Sequence, residues 1–426
     1  MKFIHAADLH LDSPLKGLDA YEGAPVDRLR GASRAALTAL VDLAIARAVD
    51  LVLLAGDIYD GDWTDFRTGL FFRGQLQRLS KAGIRVFIVK GNHDAQSLIT
   101  RTLPAVDGVH VLSSRRCETV DLAALGVAVH GRSFAERSTT EDLLPGYPAA
   151  VPGRFNIGML HTSLNGREGH DPYAPTTLAA LVDKGYDYFA LGHVHAREVV
   201  RDAAPRIVFP GNLQGRHARE TGPKGCELVT VEGGRIVTAE FVALDVVRWH
   251  RIEIDATGLH DVEALARRFR ERMQAAAADA PEHLHAVRVR LGGESALHAI
   301  EAAQPGCVQA AIQAACQDLD ACDAWIEQVR CELRSPFDRG AAAARDDALG
   351  EVVRLVDALA SDDGQLLAWF AAQMAEMKEL PAALADADPA RLTLPQVRAL
   401  LADAEATVLA RLAGVMGDAG RSAERE

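Results

Sequence analysis

Five apolar runs, FIHAA, LVLLAG, VFIVKG, IGML and YFALG, give way abruptly to ligand-type polar residues. These are Asp8 and His10, Asp57, Asn92 with His93 and Asp94, His161, and His193 with His195. A run that is apolar at successive positions predicts a strand buried on both faces, which is the habit of parallel sheets. In a parallel sheet the C-terminal strand ends share one edge, so residues far apart in sequence converge there. Asp57 taken alone reads as a turn or cap residue. Repetition of the same device at four other strand ends is what makes it a candidate site.

The order of elements supports this. Lys2 to Ala7, Asp27 to Ala48 and Asp50 to Ala55 read as strand, helix and strand, a unit that requires parallel pairing with a right-handed crossover. A helix over Phe66 to Ala82 and a strand over Ile84 to Val89 follow. Further strands are predicted at Val127 to His130, Phe155 to Leu160 and Tyr186 to Leu191, with a helix at Thr176 to Lys184. From Glu198 short strands take over, and Glu227 to Glu232 and Arg235 to Ala243 flank a Gly233-Gly234 turn. They form an antiparallel edge or a second sheet.

Near Asp245 a smaller α+β region begins: a strand, a helix over Asp261 to Ala278, the strand His285 to Leu291, then more helix. Beyond Pro336 the chain is Ala-rich, with helices predicted at Ala342 to Ala360, Gly364 to Leu380 and Leu394 to Met416, and a disordered end from Gly417. Pro381, Pro389 and Pro395 punctuate that region.

The formal charge of -13 would argue against a polyanion partner were it evenly spread. Residues 1–250 hold 28 Lys and Arg against 29 Asp and Glu, whereas residues 251–426 hold 18 against 30. The half with the strand-end ligands is thus neutral, and bound cations would make its site locally positive. The six cysteines have no zinc-finger or CxxC spacing, and four fall in apparently helical sequence; they read as reduced thiols. The N-terminal MKFIHAA lacks a signal-peptide pattern and no apolar run approaches membrane-spanning length, so a cytoplasmic protein with no membrane association is expected.

Histidine, carboxylate and one amide oxygen are donors for borderline or hard divalent ions such as Mn, Fe or Zn, and the lack of thiolate disfavours a purely structural zinc site. Seven strong ligands exceed what one ion with an open position needs. Two ions suit them.

At this point the motifs resemble a known family. After the opening DLH, the stretches GDIYD, GNHD, the histidine of MLHTSL, and GHVH look like the successive signatures of the calcineurin-like metallophosphoesterases, over Met1 to about Ala243. The chain is most similar to the SbcD-type DNA repair exonucleases, and HTSLNGREGHDPYAP and FPGNLQGRH resemble their YhaO branch. The resemblance implies an α/β fold of the metallophosphoesterase type, a mixed β-sandwich flanked by helices, over residues 1–245. It further implies a small α+β capping domain selecting DNA ends over residues 246–335, and a helical C-terminal region over residues 336–426.

The same resemblance implies one ion held by Asp8, His10, Asp57 and His195, and a second held by Asp57, Asn92, His161 and His193. Asp57 would bridge. His93 would sit beside the scissile phosphate as the catalytic residue, with Asp60 and Asp94 orienting histidines or capping turns. The implied activity is two-metal exonucleolytic hydrolysis of DNA in repair, with manganese as the favoured ion. An SbcC-like coiled-coil ATPase is the implied partner, and a homodimer is compatible. The alternative is a dimetal phosphodiesterase or phosphatase acting on a small molecule or another phosphoester.

Overall fold

The computed structural model describes residues 1–15, 23–60, 66–95, 105–166, 172–336, 338–376 and 392–423. Met1–Arg251 with Ala280–Val287 and Cys322–Glu327 make one compact unit; Ile252–Asp279, Arg288–Ala321 and Gln328–Glu426 make the other.

In the first unit, β1 (Lys2–Ala6), β2 (Leu51–Ala55), β3 (Arg85–Val89) and β4 (Val109–Val111) pair in parallel. The crossovers run through α1 (Val26–Ala46) and α2 (Phe66–Lys81). On the far side of β1 lie β11 (Gly225–Glu232) and β12 (Arg235–Ala243), both antiparallel, giving the order β12-β11-β1-β2-β3-β4. Gly233 and Gly234, at φ 56° and 74°, make their turn, since only glycine takes two successive left-handed positions at little cost.

A second sheet has the order β5-β6-β7-β8-β10-β9. Its members are Glu118–Leu122, Val127–Gly131, Phe155–His161, Tyr188–Gly192, Arg206–Phe209 and, at the edge, Glu198–Arg201. Both sequence-based options for the later strands are therefore realised: an antiparallel edge on the first sheet and a second sheet facing it.

The alternation of side chains along each strand divides the core. Phe3, Leu51, Leu53 and Phe87 of the first sheet pack against Val127, Ile157, Met159 and Tyr188 of the second. The opposite face of the first sheet, with Ile4, Val52, Leu54 and Val86, is covered by Leu37, Leu40, Val41 and Ala44 of α1 and by Phe72, Leu76 and Leu79 of α2. Each sheet is thus covered on both faces, since Phe134, Leu144 and Leu181 cover the outer face of the second. This is why the central strands read as apolar throughout.

In the second unit, the helix Val262–Ala277 starts on the Asp261 side chain, which accepts the Ala264 amide at 2.7 Å, and it buries Leu265, Phe269, Met273 and Ala277 at four-residue spacing. The C-terminal helices are Arg339–Ala343, Ala348–Ala360, Asp363–Glu376 and Leu394–Ala423. The first two replace one expected helix because Asp347 caps a new start, accepting the amides of Leu349 and Gly350. The last continues past Gly417, where disorder was expected. Pro381 and Pro389 lie outside the described residues.

A further expectation fails. Asp323–Arg334 is a strand, β15, in a sheet ordered β13-β14-β15 with Val247–Asp255 and Leu284–Glu294, so Cys331 sits on a strand and Cys322 just before it. Val329, Cys331 and Leu333 alternate with polar residues at the period of a strand. Among the described residues no helix is long and apolar enough to cross a membrane.

Candidate metal centre

The segments leaving β1, β2, β3, β7 and β8 meet at one edge of the sandwich. Backbone hydrogen bonds tie them: the Asp8 amide donates to Gly56 O and the His10 amide to Asp57 O, both at 3.0 Å, and the Thr162 amide donates to Gly192 O at 3.1 Å. Both Asp8 carboxylate oxygens accept the His193 amide, at 3.1 and 3.0 Å. Asp8 and His10, two residues apart, do not converge through extended chain. Asp8 and His10 have φ of 51° and 42°, Asp57 51° and His193 101°. Tight left-handed turns aim these side chains, a conformation that costs energy in residues other than glycine and clusters at functional sites.

Three groups result, each with one ligand atom per residue and all such atoms within 4.8 Å: Asp8, His10 and His195; Asp8, Asp57 and His161; and His10, Asp60 and His93. His10 Nε2 faces His195 Nε2 at 3.1 Å. Asp57 Oδ2 lies 3.8 Å from His10 Nε2 and 3.5 Å from His161 Nε2. Asn92 Oδ1 lies 3.0 Å from His161 Nε2, and the His193 ring is centred 5.2 Å from that of His161. The sequence-predicted ligands thus occupy one cluster, with the Asp57 carboxylate between its halves.

Burial dominates the electrostatics. It pushes the Asp8 carboxyl up to about 6, with the Asp57 charge adding to the effect, and lowers His10 to about 4 with help from Arg216. For Asp57, burial is outweighed by His161, His10 and His93, which hold the carboxyl well below its usual range. For His161, burial is likewise overcome, here by Asp57 and Asp8, and its pKa rises to about 9. The donor set fits divalent cations. Two imidazole nitrogens that face each other at 3.1 Å share at most one proton usefully, whereas a cation takes both lone pairs. Two glycines leave the room: a Cβ on Gly91 would stand 2.2 Å from Asp57 Oδ1, and one on Gly56, at φ 98°, 2.2 Å from His161 Nδ1.

Around the cluster, the half-exposed His93 turns Nδ1 to Asp60 Oδ1 at 3.1 Å; Asp60 also lies 3.5 Å from His10 Nδ1 and accepts Ser13 Oγ at 2.6 Å. Hydrogen bonding to Asp60 raises the His93 pKa against the effect of burial. Asp94 accepts the amides of Ile58, Tyr59 and Gly91 at 3.0, 3.0 and 3.3 Å, so it holds the loop that carries Asp57. His5, in β1, is locked in the core between Tyr188 and the Leu191 carbonyl. Tyr173 stands edge-on to His193, Arg290 pairs with Glu332, and His170 lies outside the described residues.

Sequence reasoning missed Glu220, whose carboxylate meets His195 Nδ1 at 2.8 Å, and Asp12, which accepts Arg34 Nε at 2.7 Å and Thr68 Oγ1 and so ties the DLHLD loop to α1 and α2. Asp12 offered a signal, standing two residues beyond His10 in the same D-x-H-x-D spacing. Glu220 offered none.

Residues 1–197 match the family described as calcineurin-like phosphoesterase, and residues 249–334 match the middle domain of metallophosphoesterase YhaO. The chain is similar to the uncharacterized metallophosphoesterase YhaO of Bacillus subtilis, 38% identical over 268 residues, a stretch that is 62% of this chain and 65% of that protein. It spans, then, just under two thirds of that relative. It is also similar to the DNA double-strand break repair protein Mre11 of Methanopyrus kandleri, 25% identical over 69% of each chain. Among solved structures, a dimetal phosphatase from Danio rerio aligns with a TM-score of 0.35 and 12% identity over 55% of this chain and 93% of that one.

Proposed function

Residues 1–197 are a calcineurin-like phosphoesterase domain, and from that premise we propose that the protein is a DNA exonuclease of repair, hydrolysing phosphodiesters at DNA ends with two divalent metal ions, manganese foremost. The observation that carries the reading is the placement of Asp57 Oδ2 between His10 and His161, at 3.8 and 3.5 Å. One carboxylate so placed would serve two ions. Asp8, His10, Asp57 and His195 would hold the first, and Asp57, Asn92, His161 and His193 the second. When bound, the ions supply Lewis-acid stabilisation of phosphoryl charge and lower the pKa of a water.

The chain's own contribution to turnover is His93. With Nδ1 on Asp60, its Nε2 is left to hold a proton for the leaving oxygen, and the raised pKa keeps that proton available.

DNA is favoured over a small phosphoester by two considerations: relatives at 22–29% identity carry the name of a DNA double-strand break repair protein, and about 180 residues follow the sandwich. On this reading residues 1–245 hydrolyse, residues 246–335 select DNA ends, and residues 336–426 dock an SbcC-like ATPase in the cytoplasm.

The test is to compare end-labelled duplex DNA with bis-p-nitrophenyl phosphate in the presence of Mn, with and without the ATPase. Loss of nucleotides from DNA ends supports the proposal; cleavage of the small ester alone under both conditions sinks it. The room left at Gly91 gives a second check. Gly91→Ala, which drives a methyl group toward Asp57 Oδ1, is expected to weaken Mn binding by roughly tenfold or more with an unchanged circular dichroism spectrum. Wild-type affinity would remove Asp57 from the ligand set.

A further inference from the structure

His195 is held from behind by a carboxylate to which the roles above assign nothing. Glu220 is 6% exposed, and each of its oxygens is taken by more than one donor. Oε1 accepts His195 Nδ1 at 2.8 Å and Arg216 Nη2 at 3.0 Å; Oε2 accepts the Arg216 amide at 2.7 Å and Asn212 Nδ2 at 2.9 Å. The carboxylate is therefore pinned independently of the histidine. Its braces are anchored in turn. Asn212 bridges to Ala7, the residue before Asp8, and Arg216 Nη1 lies 3.7 Å from Asp60. The backbone of His195 is fixed by the same segment, its carbonyl accepting the Asn212 amide at 3.2 Å and Lys224 Nζ at 2.9 Å.

We propose that Glu220 is a positioning residue for His195, fixing the imidazole with its proton on Nδ1 so that the Nε2 lone pair faces His10 and the metal-binding cluster. Arg216 Nη2 also approaches Nδ1, at 3.2 Å. A guanidinium only donates and an ionised carboxylate only accepts, so the two contacts demand opposite tautomers. The carboxylate contact is shorter, and Arg216 already donates to the same oxygen. Nδ1–H is therefore the state the geometry selects, and Nε2, 3.1 Å from His10 Nε2, carries the lone pair. A histidine whose far nitrogen is so held is fixed in orientation and is a more basic donor.

The proposal rests on the metal-binding reading of the cluster but is indifferent to the substrate. It is tested on the full chain by calorimetric titration with Mn of the wild type, Glu220→Gln, His195→Ala and the double variant, with long-range proton–nitrogen spectra reporting the His195 tautomer. Glu220→Gln is expected to weaken one of two Mn equivalents about 10- to 100-fold, and to add no loss once His195 is gone, because the two residues act as one unit. The wild type should show Nδ1–H. An equal cost of Glu220→Gln in both backgrounds, no cost in either, or an Nε2–H wild type overturns the proposal. If Glu220→Gln does not fold, Glu220→Asp keeps the charge, draws it back from Nδ1 and enters the same comparison. A wild type that binds no Mn sinks the metal reading instead, and the tautomer still decides whether Glu220 sets His195.

Discussion

Asp57→Asn is expected to remove both metal equivalents and to lower DNA hydrolysis on the order of 10³-fold, the scale of losing a group that stabilises developing charge. The substitution is isosteric, so the loss cannot be put down to a cavity. The amide oxygen can still accept the His93 amide, which Asp57 Oδ1 does at 3.0 Å. That orientation then turns the NH2 group toward His10 and His161, replacing the acceptor 3.8 and 3.5 Å from their Nε2 atoms by a donor. One unit of negative charge is lost at the point common to both proposed ion positions. His10→Ala and His161→Ala each remove a ligand from one position only, so each should leave one Mn equivalent near wild-type affinity. Calorimetric titration of the three variants separates these outcomes. Retention of one full-affinity equivalent by Asp57→Asn would show that the carboxylate serves a single ion, and the bridging role would be lost.

The contrast between Asp57 and Glu220 marks what could be read from the sequence and what could not. Asp57 follows a strand, LVLLA, that is buried at every position. Burial on both faces writes itself into sequence as an unbroken apolar run, and parallel topology then dictates which end is shared. The predicted α/β sandwich and the convergence of Asp8, His10, Asp57, Asn92, His161, His193 and His195 follow from that reasoning. Edge strands leave a fainter mark. Glu118–Leu122, ETVDL, alternates between partly buried and exposed over most of its length, and Val109–Val111 has only three residues. Their pairing is set by the neighbouring strand more than by their own composition. The turns at Asp8 and His10 were hidden for a related reason: an L-residue with positive φ carries no compositional sign when the surrounding structure enforces it. Glu220 lies 25 residues beyond His195, in an irregular segment that follows two short strands, and is held there by Asn212 and Arg216. No periodicity or motif encodes such a contact, which exists only once the segment has packed.

His93→Ala should behave in the opposite way to Asp57→Asn: two Mn equivalents at wild-type affinity, and turnover down by about 10²- to 10⁴-fold, or roughly 3–5 kcal/mol of transition-state stabilisation. Its backbone amide, not its ring, contacts Asp57, so truncating the side chain leaves the Asp57 carboxylate supported. The ring is centred 5.0 Å from that of His10, in an edge-on contact, and its Nδ1 is taken by Asp60 at 3.1 Å. That leaves Nε2 as the free end of a side chain with 37% of its surface exposed, where His10 and His161, the histidines proposed as ligands, are buried. A group meant to give a proton to a leaving oxygen must be reachable by substrate, and a group meant to hold an ion need not be. The competing role is concrete, because His10, Asp60 and His93 also bring ligand atoms within 4.8 Å of one another. If His93 were a ligand, His93→Ala would lose an equivalent of Mn, and its residual activity would recover with excess metal. If it is the proton donor, added Mn restores nothing. Asp60→Asn should then reproduce part of the turnover defect, because it loosens the imidazole without removing it.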